Sequence, residues 1–215
     1  PKNIGYSAGP DYNRYFKYYE HRDMLGAFEA IDRAEARFAE CFGRAYTGPI
    51  EAVSCDDAEA VLVTLGSIAG LARESVARLR AQGKRVGLLR VRYMRPFPAT
   101  LIAKALAGAA AVGVLEKDIS FGAEGTVFTN VNSALQQAGC MVPTFNFIGG
   151  LGGDDITSAQ MDAMFDALLD SAGERGRDDA STGQGAGLGR VSFLGIDFPV
   201  ADQPACGDDC EEGAR

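Results

Sequence analysis

Four apolar runs of strand length, separated by segments of helical period, constrain this chain more than any other feature. They are Ala60-Val61-Leu62-Val63-Thr64-Leu65, Val86 to Val91, Ala111-Val112-Gly113-Val114-Leu115 and Val142 to Ile148. Runs that are apolar at every position suit strands covered on both faces. Between and after them lie helical patterns: Ile68 to Ala81 with Leu71, Ser75, Val76 and Leu79 on one face, Thr100 to Leu106, and Thr126 to Gln137. A last helix follows Thr157, with Met161, Met164, Phe165, Leu168 and Leu169 on its buried face. Gly66-Ser67, Gly83 and Gly108 punctuate the pattern, and Ser67 and Thr157 are placed to cap the helices that follow them. A β-α alternation of this kind demands right-handed crossovers and a mostly parallel sheet. Ile50 to Ser54 reads as a short further strand, antiparallel at an edge.

The flanks have a different character. Leu25, Phe28, Ile31, Ala34, Phe38 and Phe42 recur at helical spacing, with Gly43 as an end signal and Gly48-Pro49 closing the element. Before them, Tyr6, Tyr12, Tyr15, Phe16, Tyr18 and Tyr19 show little period, and Gly5, Gly9 and Pro10 break any early helix. An irregular segment this aromatic is expected to lie against another domain or subunit. After the last helix the chain becomes rich in Gly, Ser, Asp and Arg, then apolar from Val191 to Phe198, then acidic. The division expected is a partner-packed linker and helix over 1–48, an α/β domain over 49–170, a Gly-rich linker over 171–190 and a docking strand with an acidic tail over 191–215. The strand docks either back onto this domain or onto a partner chain.

Composition removes several classes of function. A formal net charge of -8 argues against non-specific binding to nucleic acid. No apolar run reaches the ~18 residues that cross a bilayer, and no signal peptide is visible, so the expectation is no membrane and no nucleic acid as partners. Five scattered cysteines do not form a secreted disulfide framework, which points to a reducing, cytoplasmic setting. Cys41, Cys55 and Cys140 read as small buried hydrophobes; Cys206 and Cys210 lie in the polar tail with too few companions for a cluster. The chain opens on Pro1, as a fragment or a processed piece would.

Candidate motifs are few. Gly122-x-x-Gly125 precedes a helix but lacks the third glycine and the later acid of a dinucleotide fingerprint. Gly149-Gly150-Leu151-Gly152-Gly153 has no lysine-plus-hydroxyl after it and is not a P-loop; Asp154-Asp155 suits turn and cap formation or a cation. Arg90, Arg92 and Arg95 surround Tyr93, a set that takes a phosphate, a carboxylate or structural ion pairs. His21 is the only histidine, and no Ser/His/Asp set, metal cluster or carboxylate pair appears. We therefore expect no catalytic, cofactor-binding or metal-binding residues. The interface candidates are Arg90, Arg92, Tyr93, Arg95, Phe121, Gly122, Gly149, Gly150, Gly152 and Gly153.

Several of these stretches, in order, carry a resemblance. Phe38 to Tyr46, Val63-Thr64-Leu65-Gly66-Ser67, Gly87 to Arg92, Arg95-Pro96-Phe97-Pro98, Val114-Leu115-Glu116-Lys117 and Phe145 to Gly153 resemble the C-terminal part of the α subunit of 2-oxoacid (pyruvate-type):ferredoxin oxidoreductases, over roughly residues 27 to 169. The resemblance implies a transketolase C-terminal-like fold: a three-layer α/β/α sandwich with a mostly parallel five-stranded sheet and one antiparallel strand. It implies an enzyme complex that uses thiamine diphosphate and iron-sulfur clusters. Such a complex decarboxylates a 2-oxoacid oxidatively to an acyl-CoA and passes electrons to ferredoxin, or to NAD through a FAD subunit. The cofactors would sit on other domains and subunits (thiamine-binding, gamma and iron-sulfur), leaving this chain a structural, assembly role. The thiamine-type domain that precedes this region in the family is missing, so the chain looks like the C-terminal half of such a subunit or a split subunit. The alternative of another class is a stand-alone nucleotide- or CoA-binding regulatory module using the Gly122 and Gly149 turns.

Overall fold

The apolar runs lie side by side in one six-stranded sheet in the computed structural model of the chain, which describes residues 9–46, 48–174 and 191–196. The elements are α1 (Pro10–Phe42), β1 (Ile50–Val53), β2 (Ala60–Leu65), α2 (Ile68–Ala81), β3 (Val86–Val91), α3 (Ala99–Leu106), β4 (Ala111–Glu116), α4 (Thr126–Gln137), β5 (Thr144–Ile148), a 3-10 turn (Leu151–Gly153), α5 (Ser158–Glu174) and β6 (Val191–Phe193). The strand order is β1-β3-β2-β4-β5-β6. β1 runs antiparallel to β3 with Ile50 opposite Val91, and every other pairing is parallel. Among the described residues the chain divides into two compact units, 50–92 with those from 99 onward, and those up to 49 with 93–98.

In the sheet unit, pleat alternation sorts the strand residues between two helical layers. Leu62, Leu88, Leu115, Phe145 and Phe147 join Val76 and Leu79 of α2 and Met161, Phe165 and Leu168 of α5 in one core. The alternate positions Val61, Val63, Val112 and Val114 are also fully buried, on the face where α3 and α4 pack together and bury Ile102, Leu106, Phe128 and Val131. This burial on both faces is why β2 and β4 read as unbroken apolar runs. Gly113 leaves the room that Leu168, Phe147 and Leu62 fill: a Cβ there would lie 2.8 Å from Leu168 Cδ1. A mostly parallel sheet between helices, with β1 as its one antiparallel strand, agrees with the fold class expected.

Several expectations change. The sheet has six strands rather than five, because Val191–Phe193 pairs with β5, Val191 opposite Asn146 and Phe193 opposite Ile148. The docking strand thus closes on its own domain. Ser67 occupies the N-cap of α2 without a side-chain cap hydrogen bond, whereas Thr157 does cap α5: its Oγ1 accepts the Gln160 N-H at 3.2 Å and the Gln160 side chain accepts the Thr157 N-H at 2.9 Å. Residues 10–23, expected to be irregular, continue α1 without a break. Pro10 stands in the first turn, where its missing N-H costs nothing, so it starts the helix instead of stopping it. The predicted end at Gly43 is in place, with Gly43 in the left-handed region (φ 66°) and its N-H donating to the Ala39 carbonyl.

In the other unit, Glu35 of α1 uses both carboxylate oxygens. One accepts the Tyr93 hydroxyl at 2.5 Å and the other accepts the Gly48 N-H at 3.0 Å. Cys41, expected to be buried, is exposed on α1, as is His21; Cys55 is buried as expected and Cys140 half-buried. Cys206, Cys210 and residues 175–190 lie outside the described residues.

Candidate functional site

Open α/β sheets place ligands and working residues at the carboxyl ends of their strands. There this chain carries a buried acid. Glu116, the last residue of β4, is 4% exposed. Its Oε2 accepts the Val127 N-H at 2.8 Å and its Oε1 accepts the Phe128 N-H at 3.1 Å, so the carboxyl group meets the open donors at the start of α4. Asn146 of β5 completes the arrangement. Its Nδ2 donates to Glu116 Oε1 at 3.0 Å and lies 3.3 Å from the Val114 carbonyl, while its Oδ1 accepts the Gly125 N-H at 2.7 Å. Burial pushes the Glu116 carboxyl above its ordinary value, with a smaller push from Asp118; the Val127 and Phe128 N-H groups and the Asn146 amide oppose the rise.

Gly125 exists for this acid. Its backbone is extended (φ -69°), which any residue adopts, but a Cβ would fall inside the Glu116 carboxyl group. The Gly122-x-x-Gly125 turn is thus a backbone seat for a carboxyl group from its own chain. Asp118 accepts the Thr126 hydroxyl at 2.9 Å from the neighbouring turn. At its apex Gly122 is left-handed (φ 81°), and Phe121 beside it is 96% exposed.

The glycine loop after β5 is built around neighbouring side chains. Gly149 packs under Leu194 and Gly150 (φ 70°) under Lys117, whose Cε would stand 2.6 Å from a Cβ. Gly152 and Gly153 are left-handed and exposed, with open space where a Cβ would be.

The arginines divide. Arg90 faces Glu51 of β1 at 3.6 Å, and Arg73 of α2 reaches the other Glu51 oxygen at 2.8 Å. The Arg73 hydrogen bond holds the Glu51 carboxyl below its ordinary value. Arg90 therefore takes part in a structural ion-pair set, one of the alternatives the sequence left open. Arg92 is half-buried, Tyr93 engages Glu35, and Arg95 is exposed with its Nη1 on the Met94 carbonyl at 2.6 Å. Arg90 and Arg92 belong to the sheet unit, Tyr93 and Arg95 to the other.

Residues 58–161 match the model of pyruvate:ferredoxin oxidoreductase core domain II. Over that stretch the chain is similar to core domain II of pyruvate:ferredoxin oxidoreductase. Curated relatives extend the likeness beyond that domain. Pyruvate synthase subunit PorA of Methanothermobacter thermautotrophicus is 40% identical over 164 residues, 76% of this chain and 42% of the relative. Ketoisovalerate oxidoreductase subunit VorA of Pyrococcus abyssi is 36% identical, with 76% of this chain and 42% of the relative covered. The α subunit of the NADH-dependent phenylglyoxylate dehydrogenase of Aromatoleum evansii is 34% identical, covering 70% and 37%. The chain thus spans about two fifths of the length of these relatives.

The sheet unit has a polar centre that strand and helix periodicity does not reveal. Glu116 and Asn146 lie within the stretches that carry the family resemblance, but neither they nor Glu35 stand out there as site residues. A signal was present for two of them. An asparagine between two phenylalanines in an apolar strand, and an acid closing another, break the apolar pattern at the same sheet edge.

Proposed function

We propose that this chain is a structural, assembly domain of a thiamine-diphosphate-dependent, multi-subunit 2-oxoacid:acceptor oxidoreductase. Such a complex decarboxylates a 2-oxoacid oxidatively, gives an acyl-CoA, and sends electrons to ferredoxin or, through a flavin subunit, to NAD. The observation that carries the structural role is Glu116. It is the buried acid at the carboxyl edge of the core domain, and both its oxygens are engaged by α4 and Asn146. A general acid or base needs a free approach for the reacting proton, and this group offers none.

Among the described residues no three His, Cys, Asp or Glu side chains are grouped to hold a metal ion, and the strand-end carboxylates Glu116 and Asp118 are engaged by their own turn. We assign thiamine diphosphate and the iron-sulfur clusters to other domains and subunits. We assign contact with them to Arg90, Arg92, Tyr93, Arg95, Phe121, Gly122, Gly152 and Gly153; Gly149 and Gly150, the other interface candidates, are buried under Leu194 and Lys117 and serve packing within the chain. Among the described residues no helix is long and apolar enough to cross a membrane. Free cysteines suit a cytoplasmic setting.

An affinity tag on this chain, expressed in its native host, tests the proposal. The eluate should contain thiamine- and cluster-bearing polypeptides and reduce ferredoxin or NAD when given a 2-oxoacid and CoA, while the chain purified alone should do neither. Activity in the isolated chain, or a native eluate without those polypeptides, would overturn it. Saturable binding of CoA or a nucleotide to the isolated chain would favour a regulatory module instead.

A further inference from the structure

We infer that the first four turns of α1 form a docking face for the region of a 2-oxoacid oxidoreductase α subunit that lies outside core domain II. The inference rests on the function proposed above. Tyr12, Tyr15, Phe16 and Tyr19 fall on one side of α1 at helical spacing, between 46% and 62% exposed. Among the described residues, nothing in α1 is fully buried. Half-buried residues of its later turns, Phe28, Ile31, Glu35 and Phe38 among them, form a second stripe. At 100° per residue it lies about a third of a turn round the helix from the first. Glu35 in that later stripe holds Tyr93 and Gly48, so the unit's own contacts use one side of α1 and leave the aromatic side uncovered.

The charges on these turns narrow the occupant. Arg14 pairs with Asp11 at 3.2 Å, Lys17 with Glu20 at 2.7 Å and Arg22 with Asp23 at 2.7 Å. The Arg14 and Arg22 guanidiniums also lie 5.3 Å and 4.7 Å from the centres of the Tyr15 and Tyr19 rings. Each charge is answered within the helix, so the face asks for no counter-charge and does not suit nucleic acid or an anionic membrane surface. It offers ring area and phenolic hydroxyls, the chemistry of a protein interface core. The relatives supply the occupant, because this chain spans only 42% of the PorA chain it resembles at 40% identity. The remainder of such a subunit is the protein surface we assign to this face.

The test is site-specific photo-crosslinking in the native host, with p-benzoylphenylalanine in place of Tyr15 or Phe16, a tag on this chain, and mass spectrometry of the products. Lys17, on the opposite side of the helix, is the control position. The expected result is crosslinked peptides from a sequence that aligns with PorA outside core domain II, obtained from positions 15 and 16 and not from 17. Crosslinks to another copy of this chain's core domain, to a subunit of another kind, or to no polypeptide would overturn the inference. Acceptor reduction driven by a 2-oxoacid in the same eluate separates the two proposals. Activity with crosslinks elsewhere sinks the docking face alone, whereas an eluate lacking both activity and other oxidoreductase subunits sinks the proposed function as well.

Discussion

At the scale of single residues the sharpest constraint is the contact between Gly125 and Glu116. A methyl group at position 125 has no space while the carboxyl group stays in place. Gly125→Ala should lower stability by ~2–3 kcal/mol, within the usual cost of forcing atoms into a packed site. For a domain of this size that is a fall of about 10 °C in Tm by differential scanning calorimetry; an unchanged Tm would show that the acid moves aside freely. Glu116 also sets a pH dependence. Its folded pKa is raised by burial, so it binds its proton more tightly folded than unfolded, where the value is about 4.3. The stability it contributes is complete below that value and is lost as pH rises through the folded one. Glu116→Gln removes this loss. It also sets an amide N-H against a backbone donor, at a cost of about 1–3 kcal/mol. Urea unfolding from pH 4.5 to 8 should therefore find the wild-type advantage over the variant largest at low pH and shrinking as pH rises. An advantage that grew with pH would contradict the raised pKa.

At the scale of elements, β6 covers an edge. Leu194, just past the strand, donates its N-H to the Ile148 carbonyl at 2.8 Å and packs on Gly149 and the α2/α5 core. Removing the chain beyond Glu174 would leave β5, with Phe147 and Ile148, as a bare parallel edge open to pairing with another molecule. The truncated chain is expected to melt several degrees lower and to scatter light on heating at concentrations where the full chain stays clear. Equal melting and equal clarity would mean that β6 adds nothing to the sheet. The same strand shows where periodicity loses its reach. Val191 to Phe193 looks like any short apolar run, and its partner is decided by β5 more than 40 residues earlier.

At the scale of the whole molecule, the expectation is that surface cations serve assembly more than folding. Arg95 is exposed, and its Nη1 donates to the Met94 carbonyl next to it. Arg95→Gln should leave the Tm of the isolated chain within about 1–2 °C, since surface substitutions usually cost under ~0.5 kcal/mol. Co-purification of the other subunits from the native host should fall severalfold. A variant that melted early while keeping its partners would reverse that assignment.

The sequence by itself determined the sheet's strands, their parallel run and the antiparallel edge, because burial on both faces writes an unbroken apolar run that needs no knowledge of the neighbours. It also determined the Gly43 helix end and the Thr157 cap, which are local devices fixed within a few residues. Only the tertiary structure decided that residues 10–23 are helical, that β6 returns to its own sheet, and that Arg90 shares Glu51 with Arg73. Above all it decided the Glu116–Asn146–Gly125 centre, which joins positions 116, 125 and 146. No spacing rule links them, because the hydrogen bonds that make a buried acid tolerable come from whichever groups the fold carries to the end of its strand.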